Sequence, residues 1–180
     1  MTSTNGQTRR DERRGKPHRH VTRQEPLEEN DQWPANVKIE RELIGCLLLA
    51  GCEYALDTLQ VKDFHDEFCG FLFSEIREAR KQGVPVNSEG TLLHWLTKRG
   101  ALKKAGQKYP SDTAWHLANM MQSGVVANVE HYCKVLRELR KKRAAARIAR
   151  EALKDALQDD VPSEQWRANV DSKLKDFDRL

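Results

Sequence analysis

The chain has 180 residues, of which 38% are hydrophobic and 32% charged, and its formal net charge is +4 at pH 7. This length suits one domain with tails. The longest apolar run, from Leu43 to Cys52, is shorter than the roughly 18 to 20 residues of a membrane helix, and the N-terminus lacks a signal peptide's apolar stretch. Four cysteines without paired spacing argue against a secreted disulfide framework. We therefore expect a soluble cytoplasmic protein without membrane contact.

Residues 1–33 are polar, begin with many basic residues and end in an acidic run. Because they hold almost no aliphatic side chains, they cannot offset the entropy cost of ordering, and we predict a disordered arm. Its arginines are candidate contacts to nucleic-acid phosphates, and an arm that only aids solubility is the alternative. These candidates are Arg9, Arg10, Arg13, Arg14 and Arg19.

Residues 34–127, which we call the head, read as helices separated by Gly, Pro and Asn. The predicted ranges are Val37 to Ala50 before Gly51, Glu53 to Leu59, Phe64 to Gln82, a helix capped by Ser88 or Asn87 that ends before Gly100, and Thr113 to Met121. Asp63 is the predicted N-cap of the third helix, and Gly83 its C-capping residue.

Residues 128–180, which we call the hairpin, predict two helices. The first runs from Asn128 to Leu157, about 45 Å at 1.5 Å per residue. Pro162 interrupts it, Ser163 can cap a final helix, and Trp166 begins an apolar face on that helix. No strand-like alternation competes with these patterns. The predicted fold is all-α, a compact multi-helix head followed by a long helical hairpin.

Two apolar seams on the long helix predict an interaction surface. Four leucines form one seam, and a second seam contains alanines that allow another helix to approach closely. One seam can accept the returning helix and the other a partner chain; the alternative is that both pack within one chain. We predict self-association as a homodimer or larger homo-oligomer. The candidate interface residues are Leu136, Leu139, Arg143, Ile148, Leu153, Leu157, Trp166, Val170 and Leu174.

Basic residues are concentrated on the same helix between Lys134 and Arg150. They point in several directions, which favours a solvated helix with some ion pairs. Direct contact with DNA phosphates is the alternative, with Lys141, Lys142 and Arg147 as candidates.

Catalytic motifs are missing from the sequence. The only Gly-Lys pair, Gly15-Lys16, is followed by Pro17, so there is no phosphate-binding loop of the ATPase type. The His/Cys pairs at residues 65 and 69 and at 131 and 133 do not make four convergent zinc ligands. The acidic residues at 63, 66 and 67 suit a helix N-terminus better than an acid–base pair. We predict no catalytic residue, metal site or cofactor in this chain.

Five segments, in order and at fitting distances, together resemble the N-terminal domain of DnaB-type replicative helicases. They are Ile39-Glu40-Arg41-Glu42-Leu43-Ile44-Gly45-Cys46-Leu47-Leu48, Asp63-Phe64, Leu72-Phe73-Ser74-Glu75-Ile76, Gly83-Val84-Pro85-Val86-Asn87, and the set Asn128, Tyr132, Val135, Arg137, Glu138 and Arg143. The resemblance runs from about Pro34 to near the C-terminus.

The resemblance implies a non-catalytic module for DNA replication. Heads and hairpins of that family pair into dimers that stack as a ring, and the hairpin layer meets the primase. We therefore expect oligomerisation and docking of primase or helicase-loader proteins, with the ATP-driven motor lying outside this chain. The alternative is a free-standing DNA-binding or regulatory protein that uses the same fold, the basic arm and the basic helix.

Overall fold

The computed structural model describes residues 33–101, 112–158 and 162–177. Every regular element in these ranges is helical, which confirms the predicted all-α class. The α-helices are α1 (Val37–Ala50), α2 (Glu53–Thr58), α3 (Glu67–Lys81), α4 (Glu89–Lys98), α5 (Thr113–Ser123), α6 (Val129–Ala156) and α7 (Ser163–Phe177). Short 3-10 turns span Val61–Asp63 and Val126–Asn128. Most of the predicted basic arm and the predicted loop around Gly106 lie outside the described residues.

Helix α1 lies at the centre of the head and has the predicted range. The Asn36 side chain accepts a hydrogen bond from the Ile39 backbone N–H at 3.2 Å, and the helix ends at Gly51, whose φ is 68°. Its central residues, among them Leu43, Ile44 and Leu47, have no exposed surface. An almost wholly apolar helix of this kind is stable only when other helices surround it, as they do here.

Helices α1 and α5 approach each other at Gly45. A Cβ atom built on Gly45 would lie 1.9 Å from the backbone carbonyl oxygen of Met120, so only glycine fits. At the end of α5, a Cβ on Gly124 would lie 2.9 Å from the backbone nitrogen of Cys46. The two glycines therefore allow backbone contact between the helices, and this contact determines how α5 closes the head.

Helix α3 begins later than predicted. The predicted N-cap, Asp63, lies in the preceding 3-10 turn, and Asp66 caps the helix by accepting from the backbone N–H groups of Phe68 at 2.8 Å and Cys69 at 3.1 Å. Glu40 of α1 accepts hydrogen bonds from the backbone N–H groups of His65 and Asp66, both at 2.9 Å. These tertiary bonds hold the residues before α3 outside the helix, which is why the cap moves by three positions. The predicted C-capping residue Gly83 has a φ of 69°.

Removal of the Asp66 cap of α3 should destabilise the protein. We expect Asp66→Ala to lower the free energy of unfolding by about 1 kcal/mol, because two N–H groups of the first turn lose their acceptor. Asp66→Asn is the matched control, since it keeps the acceptor oxygen and removes only the charge that lies 3.7 Å from Arg41. Urea unfolding followed by circular dichroism measures both changes. Equal losses for the two variants would show that the capping bond contributes nothing.

Helix α6 joins the head to the hairpin. It has 28 residues and matches the predicted range to within one residue at each end. Its first two turns pack into the core of the head through Val129, Tyr132, Cys133 and Leu136. Its second half pairs with α7, so the predicted helical hairpin is present. The division of the chain into domains at residue 128 stays a prediction.

Candidate interaction surface on the helical hairpin

Exposed leucines lie on the hairpin. The exposed fraction is 45% for Leu153, 63% for Leu157 and 46% for Leu174. Leu153 and Leu157 are four residues apart and therefore adjacent on one face of α6. Other candidates of the predicted interface are half-buried, namely Leu139, Ile148, Trp166 and Val170. The end of the hairpin thus presents leucine side chains that the described part of the chain leaves uncovered.

One predicted interface residue, Leu136, lies elsewhere. Its side chain is fully buried in the core of the head, because the first turns of α6 cross that core. Leu136 is therefore not part of an exposed surface, which corrects its place in the predicted interface. The same leucine seam continues along the helix, and only its later members leave the head.

Polar contacts hold α7 against α6. The Trp166 indole Nε1–H donates to the backbone carbonyl oxygen of Ala152 at 2.9 Å. The Lys173 ammonium lies 2.9 Å from a carboxylate oxygen of Glu151 and 3.8 Å from one of Asp155. The hydrogen bond from Lys173 lowers the pKa of Glu151. Trp166 therefore stabilises the hairpin itself with its polar end, so that only its ring is left for a partner.

Arg143, a second predicted interface residue, also serves the fold. Its guanidinium donates to the backbone carbonyl oxygens of Pro34 at 3.0 Å, Lys62 at 3.5 Å and Asp63 at 2.7 Å. Burial lowers the pKa of Arg143. This side chain ties α6 to two loops of the head, and its contact with a partner chain stays a prediction.

A buried ion pair lies beside Arg143. The carboxylate of Asp63 is 1% exposed, and its Oδ1 atom is 3.2 Å from Nη1 of Arg140, whose side chain is 14% exposed. The other oxygen of Asp63 accepts a hydrogen bond from the Gln60 backbone N–H at 2.6 Å. Glu40 is fully buried nearby, and burial raises its pKa. Because breaking such a buried pair leaves an uncompensated charge, this junction fixes α6 on the head.

Sequence reasoning missed the role of this junction. Glu40 precedes Leu43 and Ile44 by three and four residues, so it falls on the buried stripe of α1. An acidic residue on an otherwise apolar stripe is the signal that would have identified it. The partners of Asp63 carried no such signal, since Arg140 is one of many basic residues on α6.

Only some of the residues predicted to contact nucleic acid lie in the described ranges. Arg9, Arg10, Arg13, Arg14 and Arg19 lie outside the described residues. On α6, Lys142 and Arg147 are exposed, and Lys141 lies 3.8 Å from Glu138 in an ion pair. At 100° per residue these three positions spread around the helix and form no single stripe. Their contact with nucleic acid stays a prediction.

The cysteines are unpaired thiols. Burial raises the pKa of Cys46 and of Cys133 to about 11, and it also raises the pKa of Cys69. Cys46 and Cys133 are therefore protonated at neutral pH, which is unsuited to a thiolate nucleophile. In the described ranges, no group of three or more His, Cys, Asp and Glu residues is placed to hold a metal ion. No helix among the same residues is both long and apolar enough to cross a membrane.

The comparisons with known proteins agree with this architecture. The family model described as the DnaB-like helicase N terminal domain matches residues 32–138. The chain belongs to the DnaB-like helicase N-terminal domain family. The matched range contains the head and the part of α6 that packs into it. The resemblance predicted from the sequence is thereby confirmed, and the chain is a replicative-helicase-related module.

A solved structure is similar over about four-fifths of this chain. The crystal structure of the N-terminal domain of DnaB helicase from Mycobacterium tuberculosis matches with a TM-score of 0.68 and 18% sequence identity. The match covers 81% of this chain and 99% of the other, so the fold is shared beyond the range of the family model. No curated protein sequence gives a significant match.

Proposed function

We propose that this chain is a non-catalytic interaction module of DNA replication, which self-associates through its hairpin and docks primase or helicase-loader proteins. The observation that carries the proposal is the pair of exposed leucines, Leu153 and Leu157, on one face of α6. Adjacent exposed apolar side chains on a rigid support commonly mark a protein interface.

The base of the hairpin supports the same proposal. Arg143 and the Asp63–Arg140 pair hold α6 on the head, and Trp166 with Lys173 holds α7 on α6. A surface held in this way loses little conformational entropy when a partner covers it. The family membership adds the context of a replicative helicase, in which a module of this kind acts through its surfaces.

Self-association is the first test. We expect the full chain at tens of micromolar to have at least the mass of a dimer by light scattering. The double variant Leu153→Glu/Leu157→Glu should weaken association by at least about 30-fold, because charges would be buried where central apolar contacts contribute on the order of 2 kcal/mol or more. Its helical content should stay unchanged, since both positions are exposed.

Leu49→Glu is the matched control for this test. Leu49 is a leucine of the head with an exposed fraction of 46%, against 45% for Leu153. We expect it to associate as the unmodified chain does. A monomeric mass of the unmodified chain over the whole concentration range would refute the proposal. The same variants test docking, because co-elution with the cognate primase should be lost in the double variant and kept in Leu49→Glu.

A free-standing DNA-binding protein is the second candidate. The exposed basic residues Lys142 and Arg147 of α6 favour it, together with the arginine content of residues 1–33. Binding to duplex DNA measured at low and high salt, with and without residues 1–33, separates the two functions. This second candidate would be favoured by tight binding whose affinity falls steeply as the salt concentration rises and is lost when residues 1–33 are deleted.

A further inference from the structure

A pocket lies where α6 meets the loops of the head. Its volume is about 430 Å³, within the range of pockets that hold small ligands. The lining residues are Trp33, Lys62, His65, Arg140, Arg143, Ala144 and Arg147. We call it the basic pocket. It is formed within one chain, and none of the exposed leucines of the hairpin lines it.

Lysine and arginine are the charged residues that line the basic pocket. Lys62 comes from the 3-10 turn before α3, while three arginines come from α6 at positions 140, 143 and 147. Spacings of three and four residues place these arginines on one face of the helix. Asp63 is paired with Arg140 but does not line the pocket, and the lining residues themselves include no carboxylate. The pocket therefore attracts anions.

Two of the arginines are held in place before any ligand arrives. Arg143 is fixed by three backbone carbonyl oxygens, and Arg140 by the carboxylate of Asp63. A guanidinium has five N–H groups, so each arginine keeps further donors for a ligand. Within the described ranges the side chains of Lys62 and Arg147 make no hydrogen bond, and Arg147 is close enough to Glu151 of the same helix for its charge to lower the pKa of that carboxyl. Two guanidinium groups in fixed positions, together with the cations of Lys62 and Arg147, suit a phosphate group.

An aromatic wall completes the basic pocket. Trp33 lines it, and the Arg150 guanidinium carbon lies over one face of the Trp33 ring, 4.8 Å from its centroid, so that a base would stack on the other face. An indole face beside cationic groups is the combination on which nucleotide bases stack while their phosphates meet arginine and lysine. A simple anion would need the cations alone, and the tryptophan would add nothing to its binding.

We propose that the basic pocket binds a nucleotide, with the phosphate on Lys62 and the three arginines and the base against Trp33. The nucleotide is either free or part of a single strand, since both supply the same phosphate and base. The proposal is independent of self-association, because all the groups belong to one chain.

Binding of three probes by the full chain tests the proposal. The probes are ADP, fluorescein-labelled (dT)12 and inorganic phosphate, measured by calorimetry or fluorescence anisotropy. We expect saturable binding of ADP, of (dT)12, or of both, and the probe that binds more tightly identifies the source of the nucleotide. Lys62→Glu/Arg147→Glu should weaken it by about 100-fold, because each hydrogen bond to a charged group contributes roughly a factor of ten or more.

A charge-matched variant and an aromatic variant sharpen the test. Lys134→Glu/Lys142→Glu makes the same charge change at exposed positions of α6 outside the pocket, and we expect at most a small loss. Trp33→Ala should weaken nucleotide binding by about tenfold, as expected from lost stacking, and leave phosphate binding unchanged. Thermal melting confirms that each variant is folded.

Three outcomes would overturn the proposal. The first is no saturable binding of either nucleotide probe. The second is an equal loss of nucleotide affinity in Lys62→Glu/Arg147→Glu and in Lys134→Glu/Lys142→Glu. That result would mean that the general positive charge of the chain, or residues 1–33, bind the nucleotide. The third is a pentaglutamate peptide that binds as tightly as the nucleotides and is indifferent to Trp33→Ala. Leu153→Glu/Leu157→Glu should keep nucleotide binding, so failure of self-association is measured separately.

Discussion

Gly45→Ala is expected to lower the free energy of unfolding by about 3 kcal/mol or more. The new Cβ would lie 1.9 Å from the carbonyl oxygen of Met120, and the atom it meets belongs to the backbone. No change of rotamer can relieve that contact, so α1 and α5 must move apart by about 1 Å and lose packing along their whole crossing. Urea unfolding followed by circular dichroism measures the loss.

Gly90→Ala is the matched control for this prediction. Gly90 lies in α4, and a Cβ atom there would have no other atom within 4 Å. Alanine should be neutral or stabilise the protein by up to about 1 kcal/mol, because the unfolded chain loses conformational freedom. If Gly45→Ala unfolded at the same urea concentration as the unmodified chain, the close contact of α1 and α5 would be disproved.

Asp63→Ala is the second substitution with a large expected effect, a decrease of about 3 kcal/mol in the free energy of unfolding. The substitution leaves Arg140 without its carboxylate in a site where only 14% of the arginine side chain is exposed. It also removes the acceptor of the Gln60 backbone N–H. Breaking one partner of a buried pair costs about 3 to 5 kcal/mol, and incomplete burial of Arg140 places this case at the lower end. Chemical unfolding measures the loss.

Asp57→Ala serves as the control for this second prediction, since Asp57 is an exposed aspartate of α2. Its effect should stay within about 0.5 kcal/mol, as is usual at an exposed position. The double variant Asp63→Ala/Arg140→Ala completes a thermodynamic cycle and isolates the interaction between the two side chains. Additive losses in that cycle would mean that the ion pair does not stabilise the attachment of α6.

Much of the fold was predictable because its signals are local. A 3.6-residue apolar period and a stop at Gly51 predicted α1, and an unbroken pattern after Asn128 predicted α6. Of the two caps predicted for α4, Ser88 and Asn87, Ser88 is the one whose Oγ atom accepts from the Thr91 backbone N–H at 3.2 Å. Each of these signals acts within one or two turns of a helix, so the sequence alone contains what is needed.

The start of α3 and two of the predicted interface residues were not predictable in the same way. Asp63 has the same capping chemistry as Asp66, and only the position of Glu40 on another helix decides between them. Leu136 and Arg143 belong to the same periodic pattern as the exposed leucines. The apolar pattern of α6 does not indicate where along the helix the head ends. It therefore does not indicate which residues of the seam the head covers.

By itself, then, the sequence determined the helices, the cap at Ser88, the stop at Gly51 and the membership in a helicase N-terminal family. The tertiary structure decided which side chains meet across long separations: Asp63 and Arg140 are 77 residues apart in the chain. It also gathered Lys62 and three arginines of α6 around one pocket. Capping and periodicity depend on neighbours within a few residues, whereas a buried ion pair or a pocket exists only after the helices have packed and excluded water.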